Sequence, residues 1–197
     1  MKNTPNAVSN FLLSRLGSLP DAALAICAAA RPTTFTRGQS LLRAGSHWQH
    51  LWWVERGALR LFYIDRDGAE SNKNFFLEDS LLWPITSTLR EQPVGFFVNA
   101  LEDTTVWAVP IAPLMQALAN HAPWADVQRR TLSALLDDKM LREQAFLQSS
   151  ARQRYAALLQ QHPLWSDRIA LKQLASYLGI TDVSLSRLRA DMGLTKG

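Results

Sequence analysis

The chain has 197 residues, enough for one or two domains with a proper core, and an apolar content ordinary for a soluble globular protein. Cys27 is its only cysteine, which excludes an intramolecular disulfide and a cysteine-ligated iron–sulfur cluster and fits a reducing cytoplasm. Charge is unevenly spread: residues 1–150 are neutral overall, so the net +4 lies in residues 151–197, where Arg152, Arg154, Arg168, Lys172, Arg187, Arg189 and Lys196 outnumber Asp167, Asp182 and Asp191.

Residues 1–9 are polar and are expected to be loose. Residues 10–16 and 20–29 read as helices divided by Gly17-Ser18, the second stopped by Pro32. The apolar run 22–30 is too short to span a bilayer, and with Asp21 and Pro20 before it and no basic segment it does not read as a signal peptide. From Thr33 the period shortens to short β-like runs cut by Gly38, Gly45 and Gly57. Residues 59–64 form a strand, Asp65-Arg66-Asp67-Gly68 a turn and residues 69–77 the returning strand, so 57–77 is a hairpin. Residues 80–89 are apolar but irregular, residues 90–93 a loop, and residues 95–100 and 104–109 two further strands. Many short strands with turn signals predict an antiparallel barrel or roll.

Residues 111–120 read as a short helix and residues 124–148 as one long helix, with Pro123 at its start. Leu132, Leu136, Met140 and Leu147 make one stripe on it, widened by Leu135 and Phe146. The simplest partner for such a stripe is a second copy of the helix; the alternative is the chain's own roll. Ser149-Ser150 interrupts, and residues 151–161 are a further helix stopped by His162-Pro163.

Residues 169–194 read as two helices around a tight turn. Leu171, Leu174, Ala175 and Leu178 share one face, Ala175 is small where the helices must cross, and Gly179 supplies the turn. Thr181 is an N-cap candidate, with Asp182 adding an acceptor and a favourable charge. The second helix is expected to bury Leu185, Leu188 and Met192. That leaves Asp182, Val183, Ser184, Ser186, Arg187 and Arg189 wholly or partly exposed. This is the helix-turn-helix pattern, and Ser and Arg on the open face suit base edges and phosphates. Thr181, Asp182, Val183, Ser184, Ser186, Arg187, Arg189 and the nearby Lys172 are the candidate DNA contacts. The positive field of residues 151–197 is what a phosphate-backbone partner needs. A plain helical hairpin is the competing reading.

The order β-roll, long helix, helix-turn-helix resembles the CRP/FNR family of bacterial transcription regulators over roughly residues 30–194. The resemblance rests on TFTRGQSLLRAGSHWQHLWWVERGALRLFYIDRDGAE, FFLEDSLL, ALEDTTVWAVP and SSARQRYAALLQQHP besides the helix-turn-helix. It implies an α+β fold in three parts. Residues 1–122 would hold N-terminal helices and a cyclic-nucleotide-binding-like β-roll sensor, residues 123–149 a dimerisation helix, and residues 150–197 the DNA-binding domain. It also implies double-stranded DNA and a second copy of the chain as partners, with room for RNA polymerase and an unidentified small-molecule effector. Leu132, Leu135, Leu136, Met140, Phe146 and Leu147 are the candidate dimer interface. No membrane partner and no cofactor are expected.

The departures from the family pattern are specific. Nucleotide-binding members carry a Gly-Glu pair for the ribose and a downstream Arg pair for the phosphate. The corresponding stretch here, LLWPITSTLREQPVGFFVNAL, has no Gly-Glu, and Val94-Gly95-Phe96 stand about where the Arg pair belongs. Arg90 is the only base nearby, so a buried phosphate would lack its compensating charge. Cyclic-nucleotide binding is therefore disfavoured. Trp83, Arg90, Phe96, Phe97 and Trp107 mark the site region, and its aromatics read as core or as an apolar effector pocket.

In the recognition helix, Val183 stands where many relatives carry a Glu. It can touch a thymine methyl but cannot accept from cytosine. Arg187 stands at the family's base-reading Arg position, with Ser184 and Ser186 at neighbouring contact positions. His47 and His50 lie three apart in a loop without further ligands at metal spacing. There is no nucleophile–base set and no phosphate-cradling glycine loop, so an enzyme is not expected. The sequence reading is a cytoplasmic, homodimeric transcription regulator with a degenerate sensor. Its rival is an interaction or scaffold module that keeps the fold without specific DNA binding.

Overall fold

The computed structural model describes residues 5–194. Two compact units emerge among them: residues 5–60 with 75–135, and residues 61–74 with 136–194. Residues 1–4 and Lys196 lie outside the described residues. The stretch expected to be loose, residues 1–9, already holds the start of α1 (Ala7–Leu16). Asn6 caps it, accepting from the Ser9 backbone N–H.

The first unit contains α1, α2 (Asp21–Ala29), β1 (Pro32–Phe35), β2 (Ser40–Leu42), β3 (His50–Arg56) and the first two residues of β4 (Leu59–Ile64), whose remainder belongs to the second unit with the 61–74 hairpin. After the hairpin come β5 (Glu70–Phe76), β6 (Leu81–Leu82), α3 (Ser87–Glu91), β7 (Phe97–Ala100), β8 (Thr104–Pro110) and α4 (Ile111–Ala117). The strands form two four-stranded sheets, ordered β1-β8-β3-β6 and β2-β7-β4-β5. β3 and β8 pair antiparallel, with Trp53 opposite Trp107 and Trp52 opposite Ala108. Alternation along β3 then sends Leu51 and Trp53 to one side of the sheet. There they join Trp83, Trp107, Val109 and Trp124 in a core shared with Leu12 of α1, Cys27 of α2 and Leu114 of α4. Burial pushes the Cys27 thiol up to about 11. Trp52 faces away from that core and stacks on Trp48, which meets the edge of Phe96.

Gly57 shows why the roll needs its glycines. Its φ is +98°, and a Cβ there would stand 2.7 Å from the Thr104 Cα. The expected loop at residues 90–93 is partly helical. Thr86 accepts from the Leu89 N–H and caps α3 over residues 87–91. β7 starts at Phe97 rather than Gly95, and α4 ends at Ala117, short of residue 120.

Helix α5 (Ala122–Gln148) starts two residues before its expected bound and runs through the division between the units. In the second unit it is followed by α6 (Ala151–Gln161), α7 (Trp165–Arg168), α8 (Leu171–Leu178) and α9 (Asp182–Asp191). The Ser149-Ser150 break is a capping box: Ser150 and Gln153 each accept from the other's backbone N–H. Tyr155, Leu158, Trp165, Ile169, Leu174, Ala175, Leu178 and Leu185 are the buried apolar residues of α6 to α9 and their connections.

Candidate nucleic-acid interface

Helices α8 and α9 form the helix-turn-helix. Ala175 is buried at 1% exposure, leaving room for the helices to cross. Gly179 adopts the left-handed conformation, φ 69° and ψ 36°, and its N–H and that of Ile180 close the end of α8 on Ser176 and Ala175. Thr181 caps α9, its hydroxyl accepting from the Ser184 N–H at 3.1 Å. Asp182 Oδ1 accepts from the Val183 N–H at 2.9 Å. A carboxylate and a capped first turn both suit the positive end of the helix.

The eight candidate contacts separate into groups. Thr181 and Ser184 bond each other through their hydroxyls at 2.8 Å, so these side chains hold the turn in shape. Val183, Ser186 and Arg187 are exposed on α9, and Lys172 is exposed on α8. Arg189 is half-buried and donates to the Leu194 carbonyl at 3.3 Å. Leu185 is fully buried, but Leu188 and Met192 are only half-buried, so the inner face of α9 is narrower than its spacing predicts.

Sequence reasoning missed Asn72, Arg142, Arg154 and Ser176. Arg154 donates to the Leu178 carbonyl at 3.2 Å and to the Ser149 carbonyl at 2.6 Å, tying α6 to the end of α8. Phe146 lies beneath two guanidiniums, Arg142 at 5.3 Å and Arg154 at 5.1 Å from its centroid. Its ring also sits where a Cβ on Gly179 would be, at 2.8 Å. Phe146 thus has contacts inside its own chain, although it stays 43% exposed. A long-range polar contact of this kind has no local sequence signature.

In the roll, the five residues marked as an effector region do not converge. Trp83 and Trp107 belong to the core shared with the helices, and Trp83 lies 5.4 Å from the Trp124 ring. Phe96 packs on Trp48, and Phe97 is half-buried. Arg90 donates to the Pro84 and Ile85 carbonyls at 3.2 Å each, which engages the base nearest the expected phosphate position. A shallow cleft of about 370 Å³ is lined by Ser40, Leu42, Arg43, His47, His50 and Trp52 among others, and by none of those five. Burial holds the His50 imidazole below its usual value. Among the described residues no group of three metal-ligating side chains occurs, and no helix is long and apolar enough to cross a membrane.

A β-roll, a long helix and a capped helix-turn-helix are the parts of a CRP/FNR-type regulator fold, and comparison with known proteins agrees. The cyclic nucleotide-binding domain family matches residues 32–121. No curated protein matches the sequence significantly. Among solved structures, FixK2 from Bradyrhizobium japonicum is 17% identical, with a TM-score of 0.74 over 84% of this chain and 85% of that one. A structure described as a transcriptional regulator of the CRP/FNR family from Eubacterium rectale is 18% identical. Its TM-score is 0.72, over 95% of this chain and 91% of the other. The catabolite activator protein of Thermus thermophilus is 22% identical with a TM-score of 0.53, over 90% of this chain and 84% of that one. The chain therefore carries the fold of these transcription regulators, with a cyclic-nucleotide-binding-type roll as its first part.

Proposed function

We propose that the protein is a homodimeric transcription regulator that binds double-stranded DNA through α9 and works in the cytoplasm. The observation that carries the reading is the helix itself. Its N-terminus is capped, Leu185 anchors it, and Val183, Ser186 and Arg187 stand open on it. The positive charge of residues 151–197 supports a phosphate-backbone partner. The exposed Leu132, Leu135, Leu136, Met140 and Leu147 of α5 support a second copy as the other partner.

Fluorescence anisotropy on fragments of the host genome, repeated at several salt concentrations, tests the reading. Affinity should fall steeply with salt, by about 0.9 log units per log unit of salt for each phosphate neutralised. Salt-independent or absent binding favours the interaction-module alternative.

The roll is read as a sensor that does not take cyclic nucleotides. Arg90 is spent on backbone carbonyls and no other base stands in the 81–101 stretch. Calorimetry should show no complex with cyclic AMP or cyclic GMP in the micromolar range, and a micromolar complex with either one overturns this part. An apolar effector and contact with RNA polymerase are compatible with the fold, and neither is needed for the reading.

A further inference from the structure

Strand β5 ends its sheet, in the order β2-β7-β4-β5. An edge strand offers a row of backbone donors and acceptors, and proteins cover or pair such edges. Within the second compact unit, helices cover the part of β5 that belongs to the 61–74 hairpin. The Ser176 hydroxyl of α8 accepts from the Asn72 N–H at 3.0 Å and donates to the Glu70 carbonyl at 3.0 Å. One side chain so takes both kinds of backbone group that a neighbouring strand would take.

Asn72, buried at 2% exposure, donates its side-chain amide to the Gln173 carbonyl at 3.2 Å and to the Gln173 side-chain oxygen at 2.6 Å. From α5, Arg142 donates to the Lys73 carbonyl at 2.6 Å, the Asn72 carbonyl at 3.2 Å and the Tyr177 carbonyl at 2.9 Å. Its guanidinium also lies 4.1 Å from the Tyr177 ring centroid. Three carbonyls and two aromatic faces offset the desolvation of that charge. A single guanidinium joins α5, β5 and α8.

The geometry points to a latch: Ser176 and Arg142 are positioning residues that fasten the helix-turn-helix to the 61–74 hairpin and hold the recognition helix ready for DNA. This rests on the DNA-binding reading above. None of the latch residues lies on α9, so the latched state leaves Val183 and Arg187 exposed. Holding α9 in place beforehand removes an ordering cost from binding. Releasing the latch should therefore weaken DNA binding without removing a phosphate contact.

The test uses the full chain as wild type, Ser176→Val, Arg142→Met and the conservative Ser176→Thr. By hydrogen exchange, Ser176→Val and Arg142→Met should speed exchange in residues 61–74 by about tenfold. Amides around buried Leu185 should keep their protection, and Ser176→Thr, which retains the hydroxyl, should exchange like wild type. On a duplex that wild type binds, the two releasing variants should bind roughly three- to tenfold more weakly with an unchanged salt slope. Unchanged exchange in both variants overturns the latch, as does lost protection at Leu185, which would mark a merely structural role. Faster exchange with equal affinity, or with an altered salt slope, overturns the positioning role. If wild type binds no duplex at any salt, the functional reading and the role in DNA binding both fail, and exchange alone decides whether the latch exists.

Discussion

Gly179 carries two constraints at one position. Its φ of 69° is strained for any residue with a Cβ, and that Cβ would meet the Phe146 ring at 2.8 Å. Gly179→Ala should destabilise the second unit by roughly 1–3 kcal/mol, measured by chemical denaturation. Phe146 is 43% exposed, so its ring has room to shift. Adding Phe146→Leu should then recover only the part of the loss due to contact. Full recovery would show that backbone strain contributes nothing.

The two arginines of α9 should behave differently. Arg187 is exposed on the helix, and its fork can take guanine O6 and N7 together. Arg189 is half-buried against the Leu194 carbonyl, which suits a phosphate contact at the helix flank better than a reach into the groove. Arg187→Ala should lose about 1–3 kcal/mol on a specific site and relax preference at one guanine position. Arg189→Ala should weaken specific and scrambled duplexes alike and reduce the salt slope by about one unit. Titrations of both variants on both duplexes decide it. Equal weakening of the two duplexes by Arg187→Ala would reduce Arg187 to a phosphate clamp.

At the scale of elements, the junction between α6 and α7 is set by His162. Its N–H closes α6 on the Leu158 carbonyl at 2.8 Å, and its ring stacks on Trp165 at 3.8 Å. Trp165 in turn meets Tyr177 of α8 edge-on at 5.3 Å. Burial lowers the imidazole below its usual 6.5, outweighing the opposite pull of Asp138. The folded chain therefore prefers the neutral ring. The stability this provides is complete above 6.5 and is lost as pH falls through the lower folded value. The His162 resonance should titrate below 6.5 by NMR. His162→Phe, which keeps the stack and cannot titrate, should lose less stability than wild type on acidification from about pH 7 to about pH 5. An equal loss in both proteins would place the titrating group elsewhere, His50 being the other lowered imidazole.

These elements also show what the sequence could and could not reveal. The caps at Thr181 and Gly179 were legible because a helix end needs particular residue types at fixed offsets, whereas Ser149-Ser150 read only as a break and not as the capping box it forms. The strands of the roll were legible from period and glycines, but α3 was not, because five residues make too short a pattern. The exposed face of α9 was legible from spacing, whereas the bond between Thr181 and Ser184 depends on rotamers that no spacing shows. The marked region of the roll left two readings open, core or pocket, and spacing alone could not choose between them. Trp83 and Trp107 are near the expected pocket in sequence, yet they join the core shared with α1, α2 and α4. Asn72 and Ser176 lie more than a hundred residues apart, and nothing local announces a bond that long-range folding creates.

For the whole molecule the open question is what covers α5. Across its 27 residues only Trp124 is buried, while Leu132 is 49%, Leu136 56%, Met140 62% and Leu147 79% exposed. A lone helix gains too little from its own hydrogen bonds to stand with such a stripe in water, so most of its stability must come from packing. The stripe repeats at helical spacing over several turns, the pattern of a helix that packs along a like helix. Phe146 also meets Arg142, Arg154 and the Gly179 turn within its own chain, so the most open part of the seam runs from Leu132 to Leu147 beside it. Each fully buried Leu or Met would contribute roughly 1.5–3 kcal/mol, and two copies would double the count. Two lysines in the first turns of that seam would set four like charges against one another in an apolar interface. Sedimentation of wild type should therefore give a dimer, and Leu132→Lys with Leu136→Lys should give monomers that keep the circular dichroism of the fold. A double variant that still sediments as a dimer would place the interface off the Leu132 and Leu136 face, and a monomeric wild type would remove the second copy from the proposal.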